Sequence, residues 1–229
     1  MVHVVTVVVG LRERKKLEVR DRLCEEARKL FAAQDSAAVS VDVIAEAAGV
    51  SRATFFNYFP SKGALLDELA SHMTVRLCRY LEEERKRGQP LEPTLVHWFA
   101  RAVATIRRSE SLSRLLFGRA FAGVEENDRR MTDMLAVHRA YEGLVKDAQA
   151  RSEVSPTADA AFHAEMLAGA MTMLLNNWIT DPSYPLEARA EQTARFLTAA
   201  MIADRAPRAK PKPKPAPRKK ESHARIRSR

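Results

Sequence analysis

The chain has 229 residues, 46% of them hydrophobic and only 7% aromatic, enough apolar material for one large domain or a small domain joined to a larger one. Its two cysteines, Cys24 and Cys78, make no disulfide framework and no metal-ligand cluster, which fits a reducing, cytoplasmic setting and no metal or cofactor. The formal charge of +9 is concentrated at one end: eleven Lys/Arg against Glu221 fall between Arg205 and Arg229, leaving 27 basic and 28 acidic residues for the rest.

The opening "MVHVVTVVVG" is too short to span a bilayer and lacks the preceding basic residues of a signal peptide, so residues 1–14 read as a disordered extension and no membrane partner is expected. The first helix is predicted over Lys15–Ala33, where Val19, Leu23, Ala27, Leu30 and Phe31 share a face at 3.6-residue spacing. Two very short helices follow, Val41–Ala48 and Arg52–Phe59, each preceded by a serine able to cap it, Ser40 and Ser51. Pro60 ends the third, and Ser61 can cap a fourth that runs to about Arg87, where "RGQP" stops it.

Later helices are predicted near 93–108, 112–122, 125–151, 157–180 and 185–205, with "DPSYP" separating the last two. No convincing strand is found. Beyond Ala206 the Pro/Lys-rich run "PRAKPKPKPAPRKKESHARIRSR" cannot bury a core and reads as a disordered tail able to exchange counterions with DNA.

The stretch "AEAAGVSRATFFNYFPSK" has the anatomy of a helix–turn–helix. Ala45 is small where the second helix must cross, Gly49 can take a left-handed turn, and Ile44, Ala48, Val50 and Phe55 can join the two helices. The second helix would enter the major groove with Arg52, Ala53, Thr54, Phe56 and Asn57 exposed. Arg can fork onto guanine, Asn can address adenine, and a Thr methyl can touch thymine. Lys62 suits a phosphate, as does the Tyr58 hydroxyl, while Phe55 and Phe59 face inward.

These features, over about Arg20 to Leu66 in "RDRLCEEARKLF" and "VSVDVIAEAAGVSRATFFNYFPSKGALL", resemble the TetR family of one-component transcriptional regulators. The resemblance implies an all-α protein. A three-helix DNA-binding head at 15–62 would precede a helical effector-binding and dimerisation domain at 63–205, with Ser40, Arg52, Ala53, Thr54, Phe56, Asn57, Tyr58 and Lys62 facing DNA. Two positions depart from the family pattern: Phe56 stands where tyrosine is usual, and Asp35 stands near a usual glycine.

In the larger domain "AEMLAGAMTMLLNNWI" is apolar nearly all round and needs cover on more than one side. A two-fold dimer built on the last two helices follows, as the family resemblance implies, through Met166, Gly169, Ala170, Met173, Leu174, Ala190, Ala194, Leu197 and Met201. Candidate linings for a pocket holding a small apolar effector are Phe99, Val103, Leu116, Phe117, Phe121, Met134, His138, Tyr141, Met173 and Asn177, although the same residues also describe an ordinary helical core.

No catalytic motif is present: there is no His-Glu-x-x-His, P-loop or Gly-x-Ser-x-Gly. The expectation is a dimeric repressor that leaves a palindromic double-stranded operator when an effector binds. Competing readings are a nucleoid-associated architectural protein driven by the basic tail, and an enzyme or other effector binder that merely carries the bundle.

Overall fold

A computed structural model describes residues 10–34, 36, 38–121 and 128–203. Among these the chain forms nine α-helices and no strand: α1 Leu11–Ala33, α2 Val41–Ala47, α3 Arg52–Tyr58, α4 Lys62–Lys86, α5 Leu91–Arg107, α6 Glu110–Phe121, α7 Asp128–Ala150, α8 Ala160–Thr180 and α9 Leu186–Ala203. The expected tail, the first nine residues, Asp35 and the expected continuation past Ala203 lie outside the described residues.

Short helices this far below the length stable alone need caps and tertiary cover, and both are present. The Ser40 Oγ accepts from the Val43 amide, Ser51 from Thr54, and Ser61 from Ala64. Between α2 and α3 the chain reverses at Gly49, whose φ of +66° is a conformation that side chains resist. The Gly49 amide donates to the Glu46 carbonyl and the Val50 amide to that of Ala45, which satisfies the carbonyls at the end of α2. Gly49→Ala is therefore expected to lower unfolding free energy by about 1 kcal/mol, measurable by urea denaturation.

Several helix starts differ from the sequence expectation, three of them for a clear local reason. Leu11–Lys15 already belong to α1, because "LRERK" is a run of good helix formers with Glu13 in the first turn. Helix α5 begins at Leu91 because Pro93, read as a boundary, is tolerated in a first turn where its missing amide has no partner to lose. Helix α8 begins later, at Ala160, because the Asp159 carboxylate accepts from the Ala161 and Phe162 amides.

Two apolar clusters organise the helices. The first contains Leu23, Ala27 and Phe31 of α1, Ile44 and Ala45 of α2, Phe55 of α3, Phe59 just beyond it, and Leu65, Leu66 and Leu69 of α4. It extends to Leu112 and Leu116 of α6, so the head is seated directly on the body. The second cluster joins the distal half of α4 to α5, α7, α8 and α9 around Trp98, Phe99, Tyr141 and Trp178. Trp98 packs edge-on against Phe99 and Tyr141, and its indole N–H donates to the Leu77 carbonyl at 3.1 Å.

Polar ties fix the helices around this second core. The Arg114 guanidinium donates to the Trp178 and Ile179 carbonyls at the end of α8, where carbonyls lack intrahelical donors, and lies over the Trp178 ring. Arg195 on α9 reaches Glu92 on α5 at 2.6 Å, and Arg107 on α5 reaches Glu187 on α9 at 2.8 Å. Among the described residues, no helix is long and apolar enough to cross a membrane.

Candidate nucleic-acid interface and effector cavity

Within α3 the aromatic run divides as helical geometry requires. Phe55 is fully buried and Phe59 nearly so, their centroids 5.8 Å apart, whereas Phe56 is 41% exposed. Tyr58 is half-buried against the head core. Arg52, Ala53 and Asn57 are exposed on the outer face, and Ser40 is exposed at the start of α2.

Several of these side chains already have partners. Arg52 pairs with Asp42 of α2 at 2.5 Å, and its guanidinium lies 5.4 Å from the Phe56 ring centroid. This arrangement holds a long cationic side chain extended over the front of α3. The Thr54 hydroxyl lies 2.8 Å from the Ser51 Oγ and so serves the cap, leaving the methyl as its outward contact. Lys62 departs most from expectation: its ammonium donates to the Ser36 carbonyl at 2.7 Å and lies over the Phe31 ring. In this conformation it ties the α1–α2 connection to α4, and a phosphate would have to compete with those contacts.

Below the head, a cavity of about 1000 Å³ opens among α4, α6, α7 and α8. Of the residues expected there, Leu116, Phe117, Met134, His138 and Tyr141 line it. Phe99 and Val103 do not; they are buried in the second core, on the inward face of α5. Met173 is 57% exposed on the outside of α8, and Asn177 is half-buried away from the cavity. The Phe121 side chain lies outside the described residues.

The contribution of α4 was missed altogether. Leu66, Ala70, Thr74, Leu77, Cys78 and Leu81 run down one side of the cavity. Their three-and-four spacing is visible in the sequence, yet the expected pocket residues include none from this helix. Burial pushes the Cys78 thiol up to about 11, so it remains a protonated, weakly polar wall group.

Leu66 and Leu116 belong both to the cavity wall and to the head core. Alongside them runs a polar tie. Glu68 of α4, almost fully buried, accepts from Arg20 of α1 at 2.6 Å, pairs with Arg129 of α7, and has His72 at 3.2 Å. Arg119 of α6 pairs with Asp67 at 3.2 Å and packs against Gly63 in the first turn of α4, where a Cβ would meet its guanidinium at 3.1 Å. Displacing α6 or α7 must therefore move α4, and α4 is part of the head.

The expected dimer residues fall on two different sides. Leu174, Ala190, Ala194 and Met201 are buried in the chain's own core, the α9 residues on the helix that packs along α5, and cannot meet a partner. Small residues on α9 serve close packing within the chain, which corrects that part of the expected set. Leu197 is partly buried against the same core, and Ala170 is half-buried. Met166 and Met173 are exposed with Phe162, while Gly169 is exposed at the cavity lining, where nothing in the described chain lies within 4 Å of an added Cβ. On α9 the exposed large apolar groups among the described residues are Phe196, 71% exposed, and Ile202, 42% exposed.

The chain thus combines a capped helix–turn–helix, a candidate DNA-reading head, with an all-helical body that holds an apolar cavity. Residues 23–69 match the family model for bacterial regulatory proteins of the tetR family. Over 59 residues the chain is 42% identical to an uncharacterized HTH-type transcriptional regulator of Mycobacterium tuberculosis, covering 26% of this chain and 29% of that protein. Over 53 residues it is 49% identical to the HTH-type transcriptional regulator TcmR of Streptomyces glaucescens, covering 23% and 24%. The chain thus spans less than a third of the length of the curated relatives it matches.

The fold is similar to that of Thermus thermophilus FadR, a TetR-family transcriptional repressor in complex with lauroyl-CoA. The TM-score is 0.65 at 22% identity, covering 85% of this chain and 98% of that one. The sequence match to the tetR family thus rests on the head, residues 23–69, and the rest of the chain is similar to solved TetR-family structures in fold alone.

Proposed function

We propose that the protein is a homodimeric repressor that reads a palindromic operator through α3 and leaves it when an apolar small molecule fills the α4–α6–α7–α8 cavity. The observation that carries this reading is the sharing of Leu66 and Leu116 between the cavity wall and the head core. A ligand that favours one arrangement of those side chains favours one position of the head, and only such a differential contact can shift the equilibrium. FadR from Thermus thermophilus, a repressor crystallised with lauroyl-CoA, supports the same division of labour on this fold. Base reading falls to Arg52, Thr54 and Asn57, with Ser40, Ala53, Phe56, Tyr58 and Lys62 bordering sugar and phosphate.

Selection of bound fragments from genomic DNA tests the reading, because a sequence-specific head enriches a common inverted repeat. In the enriched site, Arg52→Ala and Asn57→Ala are each expected to weaken binding about 5- to 150-fold, the worth of one good base contact, with the helical circular dichroism unchanged. A smaller ratio of operator to scrambled-DNA affinity in each variant is the expected signature of lost readout. Removing residues 206–229 distinguishes the architectural alternative: bulk, salt-sensitive binding that disappears with the tail, with no enriched motif, would refute the repressor reading.

A further inference from the structure

Tyr141 has no role in the fold that its ring alone does not fill. Its side chain is 2% exposed, packed edge-on against Trp98 on the cavity wall. Among the described residues its hydroxyl makes no hydrogen bond, although a buried hydroxyl ordinarily finds one. Nor is that oxygen among the completely enclosed unpartnered atoms. Beside it on the same wall is the Cys78 thiol, and beyond both lies the cavity itself. Burial holds the phenol well above its ordinary value, so it stays a neutral O–H, able to donate to an oxygen that enters. One turn earlier on α7, His138 also lines the cavity and adds a second polar group on the same wall.

The charges around the cavity select against anions. Among the described lining residues, Asp67, Asp133 and Glu165 stand against Arg119 and Arg129. Both guanidiniums are paired, Arg119 with Asp67 through Nη2 and Arg129 with the buried Glu68, although the buried Arg119 Nε–H has no partner among the described residues. Asp133 is fixed by the Ser71 hydroxyl at 2.9 Å, and Glu165 faces the cavity from α8. An entering carboxylate or phosphate would meet more negative than positive charge in a space walled mostly by apolar Leu, Met, Ala, Val, Trp and Phe, where desolvating an unpaired ion is costly.

We propose that this cavity takes an uncharged, largely apolar molecule bearing a hydrogen-bonding oxygen, held by the Tyr141 hydroxyl. The proposal rests on the reading of the cavity as the effector site and narrows it to a ligand class. Trp98 can contribute only its ring face or edge, because its N–H is already committed to Leu77. Tyr141 is thus the specificity-determining group: it makes an oxygen-bearing ligand better than a bare hydrocarbon of the same shape.

The test uses the full chain and three fluorescent probes of one skeleton: pyrene, 1-pyrenemethanol and 1-pyrenecarboxylic acid. At neutral pH the alcohol is expected to bind, and the carboxylate to bind at least about tenfold more weakly. In Tyr141→Phe, alcohol affinity is expected to fall about two- to tenfold, the net worth of one hydrogen bond, while pyrene affinity is unchanged. Carboxylate binding as tight as the alcohol, equal losses for alcohol and pyrene, no loss for either, or failure of all three probes to bind would each overturn the proposal. Genomic fragment selection on the same preparation separates the two readings. DNA captured without probe binding leaves the regulator standing and removes this ligand class; probe binding without an enriched motif does the reverse.

Discussion

Phe55→Ala is expected to lower unfolding free energy by about 3–5 kcal/mol, the usual loss when a large aromatic side chain leaves a core that cannot close over the gap. The residue is fully buried in the first cluster, against Phe56 on one side and Phe59 on the other, with α1, α2, α4 and α6 all contributing to the same core. None of those helices can move in without disturbing another, since α2 and α3 are only seven residues each and rest on capped turns. Domains of this kind have about 5–15 kcal/mol in total, so the variant loses a large fraction of it.

Guanidinium titration followed by circular dichroism should show the reduced midpoint, and operator binding should be lost at temperatures where the variant is unfolded and wild type is still folded. Phe56→Ala serves as the comparison. That ring is 41% exposed, so its removal is expected to cost under about 1 kcal/mol. A midpoint in Phe55→Ala no lower than in Phe56→Ala would contradict the division of the aromatic run into support and surface.

That division was legible because it depends on local rules. Three serines at the right offsets mark three helix starts, Gly49 marks the turn, and residues four apart share a face. What the sequence could not convey is which side of an apolar helix faces which neighbour. Helix α8 is apolar almost all round, and α9 carries a stripe of alanines that reads equally well as a dimer seam or an internal one. The alanines face α5, a contact within the chain, while the larger Met173 and Phe196 face outward. The cavity shows the same limit. Its α7 wall was visible as His138 and Tyr141 among apolar residues, yet the choice between Leu116, which lines it, and Phe99, which does not, depends on where α5 and α6 cross. Glu68 was invisible for a related reason: its partners Arg20 and Arg129 are far away in sequence, and only the packing of α1 and α7 on α4 brings them together.

Phe196→Asp combined with Met173→Asp is expected to leave each protomer folded and to abolish its pairing. Both side chains are exposed, Phe196 at 71% and Met173 at 57%, on two helices packed against each other, so the change should alter protomer stability by no more than about 0.5 kcal/mol. In a two-fold contact every substitution appears twice. Four carboxylates would replace four apolar groups at the centre of the proposed interface, next to the uncovered Gly169. Burying even one of them without a partner costs several kcal/mol, enough to raise the dimer dissociation constant by about a thousandfold or more.

Sedimentation at micromolar concentration should therefore show a monomer for this variant and the proposed dimer for wild type. Operator affinity should fall with it, because one head reads one half-site and the second, about 34–36 Å away along the duplex, is no longer tethered to the first. Ala194→Asp gives the opposite pattern and identifies the face. Ala194 is fully buried in the chain's own core, so a charge there should unfold the protomer. If Ala194→Asp were folded and monomeric while the Phe196/Met173 variant remained a dimer, the seam would lie on the alanine side of α9, and the packing of α9 on α5 would have to give way to a partner.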